Sequence, residues 1–154
     1  MYFESIMEEV ISRIESDSNT AEIPIWAAIA VNDEIISISG NMVEQQRSSL
    51  MHAEFIVVLE ALQKLQTKYL CEASLYVTLE PCVLCSSVLE KVRIKDIFFG
   101  AYSPKTGAIV HGARVFETSL HKPNIIGGIQ EERCSRILKK FFDNNSEYVD
   151  DTMN

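Results

Sequence analysis

Four side chains have the types and spacing of a metal-assisted hydrolytic site. His52 and Glu54 stand two residues apart in "MHAEFIVVLEAL", and Cys82 and Cys85 form a C-x-x-C pair in "LEPCVLC". A catalytic zinc site takes three protein ligands and leaves one position open for water. His52, Cys82 and Cys85 supply that number, and two thiolates offset the charge of the ion. Zinc so held still lowers the pKa of bound water from ~16 toward ~7. Glu54, a carboxylate beside that water but not a ligand, is placed to take its proton and pass it on. Each piece alone has a plainer reading. The C-x-x-C could be a redox dithiol or half a zinc ribbon, although the sequence has no second C-x-x-C to complete a four-cysteine ribbon. His52 alone could be a satisfied core histidine, and Glu54 a charge favoured at a helix start. Together with Pro81 and the cysteine pair, the two favour zinc chemistry. Cys71 and Cys134 have neither partner nor spacing and are expected to fill the core.

These residues need helix starts to hold them. Apolar positions in "MHAEFIVVLEAL" predict a helix opening at His52. "ASLYVTLE" reads as a strand, and Pro81 sits where the helix through "VLCSSVLEKV" begins, since proline tolerates a first turn. At that N-terminus, backbone N–H groups and the helix dipole favour thiolate. Upstream, "ESIMEEVISRIES" places Ile6, Met7, Val10, Ile11 and Ile14 on one helical face, and "IPIWAAIAV", "NDE" and "IISIS" read as a β-hairpin. Residues 40–50 are expected to be loop. Downstream come a strand in "KDIFFGAY", a long loop with a short helix, a brief strand in "NIIGGI" and a last helix in "QEERCSRILKKFF". Strands alternating with helices predict an α/β domain with one sheet covered on both faces. Residues 1–142 are expected to form one domain, and 143–154 an acidic, disordered tail.

The bulk numbers narrow the setting. A chain of 154 residues, 47% hydrophobic and 23% charged, can bury an ordinary globular core. No apolar run approaches the ~20 residues of a membrane span, and the N-terminus lacks the layout of a signal peptide. The expectation is a cytoplasmic protein with no membrane partner, whose cysteines stay reduced. Net charge is −8, from 14 basic and 22 acidic residues. That balance counts against a phosphate-rich partner, though a local basic patch could survive on it.

"HAE" followed by "PCVLC" is the H-x-E…P-C-x-x-C signature of zinc deaminases. With "LYVTLEPC", "FFGAYSPKTGA" and "HKPNIIGGIQEERCSRILKKFF", the chain resembles the cytidine/deoxycytidylate deaminase superfamily from about residue 23 to 142. Within it, the likeness is strongest to the bacterial tRNA-specific adenosine deaminase branch. The resemblance implies a three-layer α/β/α cytidine-deaminase-like fold with a mixed five-stranded sheet between helices. It implies one zinc ion per subunit on His52, Cys82 and Cys85, with Glu54 carrying protons to the ring nitrogen and then to departing ammonia. It further implies that Asn41 hydrogen-bonds the base, that the Ala53 N–H binds an oxygen of the product, and that Ile23 and Ile25 wall the base pocket. The alternative for Asn41 is a turn residue after Gly40, and for the isoleucines plain core. A homodimer is also implied.

Some positions depart from the family pattern. Ser48 and Ser49 replace an aspartate–proline pair before the histidine, Ser103 replaces an aspartate, and Trp26 stands where the family has glycine. The last helix runs into "DNN" rather than arginines. All these changes are expected to touch substrate contacts rather than zinc. The leading expectation is conversion of adenosine to inosine at a tRNA wobble position, with Lys105 and Arg114 as RNA contacts. The alternative is a free base or nucleoside, guanine or cytosine. A non-catalytic zinc-bound partner subunit is less favoured, because it would have no use for Glu54.

Overall fold

The computed structural model describes residues 2–18 and 21–145. Eleven elements follow in order: α1 (Tyr2–Ser16), β1 (Trp26–Val31), β2 (Glu34–Gly40), α2 (Val43–Gln46), α3 (Ala53–Leu65), β3 (Ala73–Leu79), α4 (Val83–Lys91), β4 (Asp96–Ala101), α5 (Val115–Thr118), β5 (Asn124–Ile126) and α6 (Glu131–Asn144). One sheet runs β2-β1-β3-β4-β5. β1 is antiparallel to both β2 and β3, whereas β3–β4 and β4–β5 are parallel. The sheet is therefore mixed and five-stranded.

Its two faces follow from alternation along the strands. Ala27, Ile29, Leu75, Val77, Ile97 and Phe99 pack with α3, α4 and α5 in one buried cluster. Ala28, Ala30, Tyr76 and Ala101 pack with Met7, Val10 and Ile11 of α1 and Cys134 and Leu138 of α6 in the other. This is the three-layer α/β/α arrangement. Burying each large aliphatic side chain contributes roughly 1.5–3 kcal/mol, so the two clusters hold the helix layers firmly against the sheet.

The β1–β2 hairpin turns on Asn32 and Asp33, both at positive φ (50° and 64°), as a two-residue turn requires. One register shift lies between Ile29 and Ala30, which face Ser37 and Ile35. Ile36 is thus the extra residue of a bulge, and Lys64 Nζ donates to its carbonyl at 2.9 Å.

Several sequence expectations change. The span 40–50 is not all loop: it contains α2, whose Glu44 and Gln45 N–H groups donate to the buried Glu22 carboxylate at 2.7 and 2.8 Å. Cys71 is exposed rather than core, because it falls in the turn before β3; Cys134 is buried as expected. α6 runs two residues past Phe142. The expected acidic tail lies, from residue 146 onward, outside the described residues. Among the described residues no helix is long and apolar enough to cross a membrane.

Candidate active site and metal centre

Two helix starts meet at the C-terminal end of β3. His52 is the N-cap of α3 (φ −71°, ψ 147°) and Cys82 the N-cap of α4 (φ −72°, ψ 178°). An N-cap residue has extended backbone, so its side chain projects past the helix end and toward whatever faces it. Cys85, one turn into α4, joins from the same side. The three ligand atoms lie within 4.8 Å of one another. His52 Nδ1 is 3.6 Å from Cys82 Sγ and 3.5 Å from Cys85 Sγ. With Zn–S near 2.3 Å and Zn–N near 2.0–2.1 Å, tetrahedral coordination separates such N and S atoms by about 3.6 Å. The chain's own geometry thus fits zinc, with Nδ1 as the histidine ligand.

The protons fit as well. The Cys82 thiol is held down to about 4, chiefly by the Cys85 hydrogen bond, with the His52 ring and the Cys85 backbone N–H adding to it against burial. The same contact, and then burial, push Cys85 upward. Without metal the pair therefore shares one proton, a ready-made thiolate centre for a cation.

Glu54 is the second residue of α3, only 5% exposed. It hydrogen-bonds to Cys85, which places it beside the cluster. Burial first, and then the Cys82 charge, raise its pKa above 4.5; the His52 charge opposes them. A carboxyl group raised in this way holds a proton more readily than an exposed one, as a group that accepts and releases protons must.

Asn41 and Ala53 come together, but with each other: the Ala53 N–H donates to Asn41 Oδ1 at 2.8 Å. Asn41 in turn donates its own N–H to the Ile25 carbonyl at 3.0 Å. Its Oδ1 is therefore occupied and its side-chain NH2 is the group turned away from α3. Both Ile23 and Ile25 are half-buried; Ile23 packs on the α1–α6 cluster and Ile25 touches both clusters.

Lys105 is exposed in a turn closed by Gly107 N–H to the Ser103 carbonyl at 2.8 Å, and Gly107 bridges to Cys82. Lys105 thus stands two residues before the Gly107 that pairs with Cys82. Arg114 is instead directed at Glu117, 3.4 Å away and exposed.

The departures have local explanations. Ser48 Oγ accepts the Leu50 N–H and its carbonyl accepts that of Met51, forming the bend before His52. Ser103 is 3% exposed, with its hydroxyl 2.8 Å from that of Thr106, so it serves its own loop. Trp26 pairs across the hairpin with Gly40, where a Cβ would lie 2.5 Å from the indole nitrogen. Glycine at 40 makes the room that tryptophan at 26 fills.

Sequence reasoning gave no role to Glu80. It is 2% exposed, yet accepts hydrogen bonds from the Ser103, Ile109, Val110 and His111 backbones and from His111 Nδ1. Burial works to raise its pKa, but the His111 ring and the amides outweigh it and hold the carboxyl below 4.5. The only sequence signal is its place beside Pro81 and Cys82.

Known proteins match this arrangement. The family model described as the cytidine and deoxycytidylate deaminase zinc-binding region covers residues 3–101. A tRNA-specific adenosine deaminase of Rickettsia typhi is 34% identical over 148 residues, spanning 94% of this chain and 100% of the relative. A solved structure from a study of A-to-I editing by tRNA:A34 deaminases superposes with a TM-score of 0.82 at 34% identity, covering 87% of this chain and 99% of that one. A guanine deaminase of Nitrosomonas europaea shares the fold, with a TM-score of 0.77 at 20% identity over 90% of this chain and 83% of that one. The chain belongs to the cytidine and deoxycytidylate deaminase family, as a zinc-dependent hydrolytic deaminase related to the tRNA-specific adenosine deaminases.

Proposed function

We propose that the protein converts adenosine to inosine at the wobble position of a tRNA anticodon. The observation that carries the chemistry is the buried Glu54 carboxyl beside a His52–Cys82–Cys85 triangle of zinc dimensions. The substrate is supported by the relatives at 34% identity, whose names specify tRNA adenosine. When bound, zinc supplies a Lewis acid that makes water acidic near neutral pH. Glu54 takes up the proton at its carboxylate, returns it to the ring nitrogen, and carries a second to the departing amine, so that adenosine and water leave as inosine and ammonia. Asn41, its Oδ1 held by the Ala53 N–H, offers its side-chain NH2 to an acceptor on the base. Ile23 and Ile25 form an apolar wall beside it, and Lys105 meets a phosphate of the flanking nucleotides. We place Arg114 in the same role, released from Glu117 by the substrate. The protein acts in the cytoplasm as a homodimer, to which the exposed Leu50 before α3, Leu59 on α3 and Val83 on α4 offer apolar side chains.

The net charge of −8 favours a second reading, a free base or nucleoside such as guanine or cytosine. The two are separated by offering zinc-loaded protein an anticodon stem-loop with adenosine at the wobble position and, in parallel, free bases and nucleosides. Glu54→Ala is the blank. Deamination adds about 1 Da per base. Gain in the stem-loop supports the tRNA reading; turnover of a free base or nucleoside alone overturns it.

A further inference from the structure

All five contacts that the structure gives the Glu80 side chain go to one loop, residues 102–111. Oε1 accepts the Ser103 N–H at 3.1 Å and the His111 Nδ1–H at 2.8 Å. Oε2 accepts three successive backbone N–H groups, of Ile109, Val110 and His111, at 3.1, 3.0 and 3.2 Å. The loop closes round the carboxylate so tightly that a Cβ on Gly107 would stand 2.4 Å from Glu80 Cδ. One residue on, the Pro81 carbonyl accepts the Ala108 N–H at 2.9 Å, and Cys82 bridges to Gly107. The metal turn has holds of its own: the Glu80 N–H donates to the Ala101 carbonyl, and the Ser86 N–H to that of Cys82, both at 2.8 Å. The Glu80 backbone thus serves the turn that carries the ligands, and its side chain serves the loop.

We propose that Glu80 is a positioning residue, which sets loop 102–111 at the mouth of the zinc site so that Lys105 and the exposed Tyr102 and Val110 meet the nucleotides flanking the target base. The part concerning nucleotides rests on the tRNA reading; the part concerning the loop does not. A buried carboxylate suits the task because five donors converge on two oxygens, and no neutral side chain of that length accepts from all of them. Glutamine keeps one carbonyl oxygen for the three amides of 109–111. Its NH2 can donate to His111 Nδ1 in the other tautomer, and only the Ser103 bond must be lost.

The test compares Glu80→Gln, Glu80→Ala and His111→Ala with the parent, all zinc-loaded. Amide hydrogen exchange over 102–111 should rise at least tenfold in Glu80→Ala and less in Glu80→Gln and His111→Ala, while zinc stays at one per chain. KM for the anticodon stem-loop should rise in the same order, with kcat changing far less. Unchanged exchange in the loop, or zinc lost in step with loop opening, overturns the proposal. An open loop with unchanged KM overturns its substrate half. Should Glu80→Ala fail to fold, the glutamine and His111 variants decide by the same exchange measurement. A stem-loop inert even to the parent refutes the tRNA reading instead, and the exchange result still decides the role of Glu80.

Discussion

Glu54 and Glu80 are the same residue type, both almost fully buried, both within two residues of a zinc ligand in sequence, and their carboxyl groups are driven in opposite directions. Burial governs Glu54: burial and then the repelling Cys82 charge outweigh the His52 charge, its own backbone N–H and the Cys85 thiol, and its pKa is raised. Burial also acts on Glu80, but four backbone N–H groups and an imidazole surround it, and its pKa is lowered. The difference shows that burial alone does not decide what an acid does. The number of donors aimed at it decides whether it remains an anion that organises backbone or becomes a group that can hold a proton.

Losing the metal sets the reference for what either acid does. Cys82→Ala should lose zinc, turnover and thermal stability together, because ligands from two helix starts tie the layers through the ion. Metal analysis and a melting curve check this, and dialysis of the parent against a chelator should reproduce it.

The contrast is sharpest in Glu54→Gln. Turnover should fall by about 10²–10⁴-fold, the usual share of a general acid–base group, with zinc retained. Its melting temperature should match or exceed that of the parent, since an acid with few donors costs stability where it is buried. Zinc loss equal to that of Cys82→Ala would make Glu54 a ligand and end the distinction. Glu80→Ala should instead lose about 3 kcal/mol of stability, because it leaves buried N–H groups without acceptors; urea unfolding measures this.

The pH dependence should carry opposite signs. The folded pKa of Glu80 lies below 4.5, so its stabilisation is present above that value and fades as pH falls through the folded pKa. The folded pKa of Glu54 lies above 4.5, so the metal-free protein is favoured at low pH and loses that contribution as pH rises through the raised value. In metal-free protein, Glu80→Gln should approach the parent in stability as pH falls below 4.5, whereas Glu54→Gln should gain on the parent as pH rises above it. Parallel slopes in the two series would place both acids in one environment.

The smallest effect concerns Asn41. Asn41→Ala removes the acceptor from the Ala53 N–H and should cost about 1 kcal/mol, as helix-cap losses do, while raising KM. A stability loss with KM unchanged would leave Asn41 as a brace for α3 and no more.

The zinc site was legible in the sequence because its chemistry is local. His52, Glu54, Cys82 and Cys85 belong to two helix starts, and a helix start directs N-cap and first-turn side chains in a fixed way. The layered fold was legible for a similar reason, since the apolar runs of β1 and β3 mark strands buried on both faces and the helical stripe of α1 names the face that covers one of them. Cys71 shows the limit: nothing in its own neighbourhood distinguishes an exposed turn from a core strand.

What tertiary structure alone decided is the pairing of groups that are distant along the chain. Asn41 Oδ1 meets Ala53 only after the chain folds back through Ser48, and Glu22 reaches α2 from across a connection. Glu80 meets its donors twenty-three to thirty-one residues later. Residue types and short spacings determined that this chain would set a zinc ligand group beside a buried acid, because local backbone geometry places those atoms. Which buried acid has its pKa raised and which has it lowered depended on donors brought in by long-range packing, and hydrogen-bond partners at that range leave no periodic trace in a sequence.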